Sequence, residues 1–311
     1  MAKTTYDVIV IGGGPAGLSG AVALGRALRS VLVIDAAEPR NAPADGIHNY
    51  LTRDHIPPAE FRAAGRAEVI KYGGEVVDGT VTRAGHAGDL LTVELADGRG
   101  FQGRRLLVTT GLTDELPDVP GLRERWGREV AHCPYCHGFE ARGKAIGILG
   151  SSPMSLHQAL MWRQWTDDLT LFLHTAPAPD DEQALQLAAR GVKVVTEKVA
   201  ELIVENDTMT GVRLTDGTIV AREVLVVAPR FLANAEPLPS LGLEATENDF
   251  GSAVPAEPSG RTTVPGVWVA GNVTDQMAQV VSAAAAGLMV AAQLNSELIT
   301  EDTARAVAAL E

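Results

Sequence analysis

Cysteine is scarce: the 311 residues hold two, Cys133 and Cys136. That excludes a disulfide-stapled secreted scaffold, and two thiols confined to one motif point to chemistry instead. Positive charge is also short. With 26 Lys and Arg against 39 Asp and Glu, a formal net charge of −13, the chain lacks the clustered basic footprint that a nucleic-acid partner needs. No uninterrupted hydrophobic run reaches membrane length. Residues 8–24 are apolar but broken by Gly12, Gly13, Gly14, Pro15 and Gly17, and residues 270–292 are interrupted by Asn272, Asp275, Gln276 and Gln279. With no targeting or spanning segment assigned, the expectation is a cytoplasmic protein with no membrane partner. The remaining composition, 46% hydrophobic and 21% charged, suits one large or two medium globular domains.

The strongest local pattern is N-terminal. Residues 6–11 read as a buried parallel strand, and Gly12-Gly13-Gly14-Pro15-Ala16-Gly17 follows at once. Residues 18–29 then read as a helix, and residues 30–34 as a second strand ending in Asp35. This is a complete dinucleotide fingerprint. Its first glycine permits the tight turn, its second lets backbone approach a pyrophosphate, and its third lets helix pack on strand. Asp35 stands where a carboxylate accepts from ribose hydroxyls. Arg40 and Asn41, just beyond, either reach the adenosine half of a cofactor or lie in a solvated loop.

Pro57 and Pro58 open a helix expected over residues 59–72, and strands are expected at 75–81, 90–95 and 105–109, with Asp97-Gly98 as a hairpin turn. The proline-rich stretch 116–121 is the best candidate for a domain crossing. A second strand–turn–helix–strand pattern then spans 144–174, but its glycine positions read Gly150, Ser152 and Ser155. No Lys or Arg occurs between Arg163 and Arg190 to meet a 2′-phosphate, while Asp180, Asp181 and Glu182 would repel one. The expectation is a retained scaffold whose binding of NAD(P)H is doubtful. Further strands fall within 192–227, and residues 231–261 read as a long connector. Residues 266–270 form a strand again, Gly271-Asn272-Val273-Thr274-Asp275 a turn, and residues 279–298 a helix whose N-terminus can meet a polar cofactor edge. Asn272 is the candidate ligand there; a helix cap by Asp275 is the rival explanation of the turn.

Between the two nucleotide patterns lies His132-Cys133-Pro134-Tyr135-Cys136-His137. A zinc site would need four convergent ligands, and adjacent His-Cys and Cys-His pairs cannot easily close one tetrahedron. Cys-x-x-Cys-His also spells a c-type haem attachment, which requires export. An inert structural disulfide does not suit a cytoplasmic chain. A redox-active dithiol is the reading that fits, and no metal is expected. Its thiols need a lowered pKa to react as thiolate, which a neighbouring imidazole supplies.

Taken together, Gly12-Gly13-Gly14-Pro15-Ala16-Gly17, Thr110-Gly111, Cys133-x-x-Cys136, and Val264-Pro265-Gly266 through Gly271-Asn272-Val273 resemble the low-molecular-weight thioredoxin reductases over nearly the whole chain. The resemblance implies an α/β fold of two Rossmann-like, three-layer dinucleotide-binding domains, the second inserted into the first. The expected spans are 1–114 and 237–311 for an FAD-binding domain and 115–236 for the inserted NAD(P)H-binding-like domain that carries the cysteines. It implies FAD, lined by Gly12, Gly13, Gly14, Pro15, Ala16, Gly17, Asp35, Gly271, Asn272, Gln279 and Val280, with Arg40, Asn41, Val81 and Thr110 as weaker members. It also implies a homodimer. The departures are the decayed second fingerprint and His137 where NADPH-using members carry Asp. Cys133-Pro134-Tyr135-Cys136-His137-Gly138-Phe139-Glu140 looks more like the dithiol oxidases of gliotoxin- and holomycin-type disulfides, flavoproteins that pass electrons to dioxygen. By that analogy Cys133 exchanges with a small-molecule or protein dithiol, Cys136 faces the flavin, and His137 is the base, with His132 and Glu140 as lesser candidates. Three functions stay open: a dithiol oxidase, a thioredoxin reductase fed by NAD(P)H or another donor, and a flavin-binding redox sensor.

Overall fold

The computed structural model describes residues 5–310. The chain forms two compact units. One contains the chain through Ala42, Ile56–Thr113 and everything from Phe231 onward; the other contains Pro43–His55 and Asp114–Arg230.

In the first unit, β1 (Thr5–Ile11), α1 (Pro15–Arg26) and β2 (Val31–Asp35) form the expected strand–helix–strand. After α2 (Pro58–Lys71) come β3 (Glu75–Asp78), β4 (Val81–Ala87), β5 (Leu90–Leu95) and β6 (Gly100–Val108). The sheet runs β3-β2-β1-β6-β5-β4, and Val267–Val269 also pairs with β6. Strand β6 changes partners along its length: residues 100–103 face β5 antiparallel, while Leu106, Leu107 and Val108 pair in parallel with Val267–Val269. The parallel strands are buried on both faces, which is why they are continuous in Val, Ile and Leu. Ile9, Ile11, Leu32, Ile34 and Leu106 fill one core. Val8, Val10, Val31, Val33 and Leu107 fill the other with Leu18, Leu24 and Trp268. Each such side chain contributes roughly 1.5–3 kcal/mol when fully buried. The expected strand over 75–81 is in fact two, β3 and β4, split at Gly79 and Thr80. Strand β4 was invisible by pattern because only Val81 and Ala84 of its seven residues are buried.

The second unit repeats the layered logic. Its parallel sheet orders Lys193–Val195, Leu169–Phe172, Ile146–Leu149, Val224–Val226 and Val130–Ala131. Ile146, Ile148 and Leu171 pack with Trp162 on one face. On the other, Leu149, Phe172 and Leu225 meet Val199, Leu202 and Val212 of a three-stranded antiparallel sheet. Asn206 and Asp207, both at positive φ, turn its first hairpin.

Two departures from the sequence reading have physical causes. The stretch 231–261, read as a connector, contains most of the strand Arg230–Ala233 and the short strands Thr246–Asn248 and Gly251–Ala253, each too brief to show alternation. The C-terminal helix runs Val280–Ala308, ten residues beyond the expected end at 298. Its last turns lack an apolar face and are held by charge instead. Arg104 and Arg29 donate to Asp302 at 2.6 and 2.7 Å, and Arg105 donates to Glu297 at 2.7 Å and Glu301 at 2.8 Å.

This helix lies against α1 at backbone distance. A Cβ on Gly287 would run into the Ala16 carbonyl, and one on Gly20 would stand 3.1 Å from the Gly287 carbonyl oxygen. Alanine in a helix interior ordinarily stabilises relative to glycine by roughly 0.5–1 kcal/mol. Here the overpacking outweighs it, so Gly287→Ala is expected to destabilise by about 1–3 kcal/mol, read as a lowered urea midpoint. A midpoint that rises would mean the two helices are not in contact.

Candidate active site

The glycine turn after β1 is built from close approaches. Gly12 has φ of 108°, and a side chain there would strike the Thr109 carbonyl; one on Gly13 would strike the Asp35 carboxylate; one on Gly17 would strike the Gly12 carbonyl. Thr109 Oγ1 donates to the carbonyls of Ile11 and Gly12 and ties the turn to the end of β6. Gly14 differs: among the described residues no atom lies within 4 Å of where its Cβ would be. It is the N-cap of α1, Pro15 opens the helix, and no side chain caps the first N–H groups. The cradle therefore leaves donors facing open space at a helix N-terminus, which suits a pyrophosphate.

Asp35 sits beside it, buried. Burial opposes its ionisation, but hydrogen bonds from Arg62, from the Ala37 N–H and from the Gly13 N–H hold its carboxyl below the usual range. Arg62 and Arg66 reach the same Asp35 oxygen at 2.8 and 3.4 Å. The sequence reading missed both arginines, although their i,i+4 spacing on α2 places them on one face.

Arg40 and Asn272, far apart in sequence, meet: Arg40 donates to Asn272 Oδ1 at 3.3 Å and lies 5.1 Å from the Phe231 ring. Asn41 follows, half-buried. Asn272 in turn donates to the carbonyls of Asp275 and Ala278 at 3.0 and 2.9 Å, shaping the approach to the C-terminal helix. Gly271, at φ of 76°, lies so close to Ala16 that a Cβ would stand 2.9 Å from its methyl. The helix N-cap is Gln279, with no side-chain cap, and Val280 begins the helix. Asp275 accepts from the Met277 N–H, so it shapes the turn and does not cap the helix. Thr110 exchanges hydrogen bonds with Asn234, its hydroxyl donating to the Asn234 carbonyl at 2.6 Å. Val81 is a core residue, buried in the cluster with Leu95 and Val93.

In the second unit the cysteines sit on a single helical turn, Pro134–His137, with Cys133 as N-cap and Pro134 at the first position. The N–H groups of Cys136 and His137 both donate to the Cys133 carbonyl at 3.1 Å, and the two Sγ atoms stand 2.6 Å apart. At that separation little backbone movement is needed to close or open a disulfide. Gly138 allows the turn to rest on Trp165, whose ring would lie 2.8 Å from a Cβ there. Trp165 packs edge-on to Tyr135 with centroids 6.0 Å apart. Tyr135 and Phe139 are otherwise exposed, so the turn carries an aromatic outer surface.

His137 Nδ1 is buried with no hydrogen-bond partner among the described residues. Burial pushes the imidazole below its ordinary value, against the opposing pull of the Cys133 backbone contact and of Glu140. It is held neutral, the form that accepts a proton. His132 precedes the cysteines, half-buried.

Residues of the segment Pro43–His55 gather around this turn. Asn49 Nδ2 donates to the Tyr135 carbonyl at 2.6 Å, and His48 Nε2 lies 3.8 Å from Glu140 Oε1. The only hint in the sequence was the pair His48 and His55 within a short polar stretch.

The decayed second fingerprint also acquires a geometry. Ser155 Oγ accepts from the N–H groups of Ser151 and Ser152 at 3.1 and 3.3 Å. These are the donors that a dinucleotide phosphate would otherwise take. The adjacent cleft, lined by Ser152, Pro153, Ala176 and Pro177, holds about 50 Å³, far below the roughly 300–1,000 Å³ of ordinary ligand sites.

Two outcomes follow from this geometry. Gly14 has φ of −80° and an empty surrounding, so Gly14→Ala should leave apoprotein stability within about 0.5 kcal/mol while sharply reducing retained flavin, measured by absorbance after gel filtration. Equal loss of both would show that Gly14 serves packing. For His137 the native state binds fewer protons than the unfolded chain as pH falls through the ordinary imidazole value of 6.5. Its contribution to stability is therefore present above that pH and lost below it. His137→Asn should flatten the decline in urea midpoint between pH 7 and 5, and an unchanged decline would contradict its burial as a neutral base.

Residues 6–287 match the family model described as pyridine nucleotide-disulphide oxidoreductase. Thioredoxin reductase sirT of Leptosphaeria maculans is 32% identical, with 96% of each chain covered, and thioredoxin reductase tcpT of Claviceps purpurea is 31% identical, with 95% of each covered. Among solved structures, that of HlmI superposes with a TM-score of 0.93 at 42% identity, covering 99% of this chain and 97% of the other. An oxidoreductase from Agrobacterium tumefaciens superposes at 0.90 with 37% identity, covering 95% and 99%. With its glycine cradle, its cysteine turn and these relatives, the chain belongs to the pyridine nucleotide-disulphide oxidoreductases, in their thioredoxin reductase-like branch.

Proposed function

We propose that the protein is an FAD-dependent dithiol oxidase of the gliotoxin and holomycin type, working as a cytoplasmic homodimer. The observation that carries this reading is the pairing of a reactive cysteine turn with a second nucleotide loop whose donors Ser155 already occupies. Such a protein is equipped to take electrons from thiols and poorly equipped to take them from NAD(P)H. The homodimer is supported by the exposed apolar side chains Leu288, Met289 and Ile299 along the C-terminal helix.

In the oxidised enzyme Cys133 and Cys136 form a disulfide. A substrate thiolate attacks Cys133 Sγ; that bond forms as the Cys133–Cys136 bond breaks, releasing the Cys136 thiolate. The second substrate thiol gives its proton to neutral His137 and attacks the mixed disulfide, so the substrate leaves as a disulfide and both enzyme sulfurs are reduced. Bound FAD would supply the two-electron acceptor for that dithiol and a route to dioxygen, with hydrogen peroxide as product. Gly12, Gly13, Gly14, Gly17 and the uncapped starts of α1 and the C-terminal helix would hold its pyrophosphate, and Asp35 its ribose. Tyr135 and Phe139 offer the incoming dithiol an apolar surface.

The names of the relatives support a second reading, thioredoxin-disulfide reduction fed by a nicotinamide. One anaerobic experiment separates the two. The flavin-loaded protein is mixed with dithiothreitol, NADPH or NADH, and flavin absorbance is followed before air is readmitted. The oxidase reading expects bleaching by the dithiol, little by either nicotinamide, and peroxide on reoxidation. Rapid bleaching by NADPH would overturn it. Cys136→Ser should abolish dithiol bleaching.

A further inference from the structure

The proposed chemistry leaves a proton problem at the cysteine turn. Oxidising one dithiol releases an electron pair and two protons. The pair departs toward the flavin and, with dioxygen as final oxidant, two protons end in peroxide, but they are first released at the thiols. His137 can accept only one, and its burial, which favours the neutral imidazole, makes the charged form costly to keep. The site therefore needs a path that empties His137 between its two loadings.

The second unit holds groups for such a path, beginning with Glu140, whose charge acts on His137. Glu140 lies one turn beyond His137 and faces His48 Nε2 at 3.8 Å, while His48 Nδ1 lies 3.4 Å from Asp54 Oδ1. Both are ion-pair distances that small side-chain rotations bring to hydrogen-bond contact. The imidazole thus has a carboxylate at each ring nitrogen. It can take a proton on one side and release another on the other without turning over. The far end opens to water: Asp54 is 67% exposed, whereas His48 is 17% exposed and Glu140 50%. The charged and titratable groups around His48 are Asp54 and His55 on its own segment, with the His55 ring centroid 5.3 Å away, and Glu140 and His137 on the facing turn. Asp45 adds a negative charge that acts on His137.

The segment is built to hold this arrangement. Asp54 also accepts from the Asn49 N–H at 3.1 Å, closing the loop on itself, and Asn49 pins the loop to the Tyr135 carbonyl within the Cys-x-x-Cys turn. Asn49, Thr52 and His55 all have positive φ, at 60°, 72° and 62°. Three such residues in seven positions cost of order 1 kcal/mol each and persist only where the surroundings enforce them.

We propose that His48 is a positioning residue for the thiol chemistry, relaying protons from His137 by way of Glu140 to Asp54 and solvent. The inference rests on the dithiol oxidase reading. Its test is the anaerobic single-turnover bleaching of bound flavin by dithiothreitol, followed from pH 5.5 to 9 in the parent, His48→Asn and Asp54→Asn proteins. His48→Asn should slow bleaching at least roughly tenfold near neutrality, less than the roughly 10²–10⁴-fold of a direct general base because His137 is retained. The apparent affinity for dithiothreitol should stay unchanged, and free imidazole in the buffer should restore the rate. Asp54→Asn, a surface change that tests the path even where the histidine variant folds poorly, should shift the pH profile in the same direction by less. A parent protein that does not bleach overturns the oxidase reading and the relay with it. A parent that bleaches, with variant profiles matching it and no imidazole rescue, overturns the relay alone.

Discussion

The first unit depends on two helices touching at their backbones. Ala16, Gly20, Gly271 and Gly287 keep side chains out of the contact between α1 and the C-terminal helix. Dispersion between close backbones stabilises the pair, but the functional result is positional. The two helices share a small-residue contact near their N-terminal ends, and neither first turn is capped by a side chain. Two sets of unsatisfied N–H donors in one unit are costly when nothing accepts from them and favourable when an anion does. The fold thus places its electrostatic demand where the resemblance puts a dinucleotide.

The second unit treats its own nucleotide loop in the opposite way. There the helix carries Ser155, whose hydroxyl is buried and accepts from both loop N–H groups. The same strand–turn–helix frame supports an open cradle in one unit and a closed one in the other. The difference lies in whether a side chain or a ligand satisfies the donors. This unit also presents the cysteine turn, cushioned on Trp165 and pinned by Asn49.

Much of this was legible in the sequence because the relevant constraints are local. A phosphate-binding turn needs its glycines within six residues, and a two-thiol centre needs its cysteines one turn apart. Gly12 through Gly17, Cys133 and Cys136 therefore announce themselves. What was not legible depends on long-range contacts. Asn49 finds Tyr135 across 86 residues and Arg40 finds Asn272 across 232. Neither pair leaves a spacing to read. Strand β4 and the last turns of the C-terminal helix were missed for a related reason. Ion pairs and edge pairing stabilise them, and neither imposes an apolar period.

The hydroxyl of Ser155 has a thermodynamic consequence. A domain that binds its nucleotide gains stability by mass action, in proportion to the logarithm of ligand concentration. A loop that carries its acceptor covalently has that satisfaction at unit occupancy, whatever the metabolic supply. On the proposed reading, the cysteine-bearing unit is thereby uncoupled from the nicotinamide pool in its folding equilibrium.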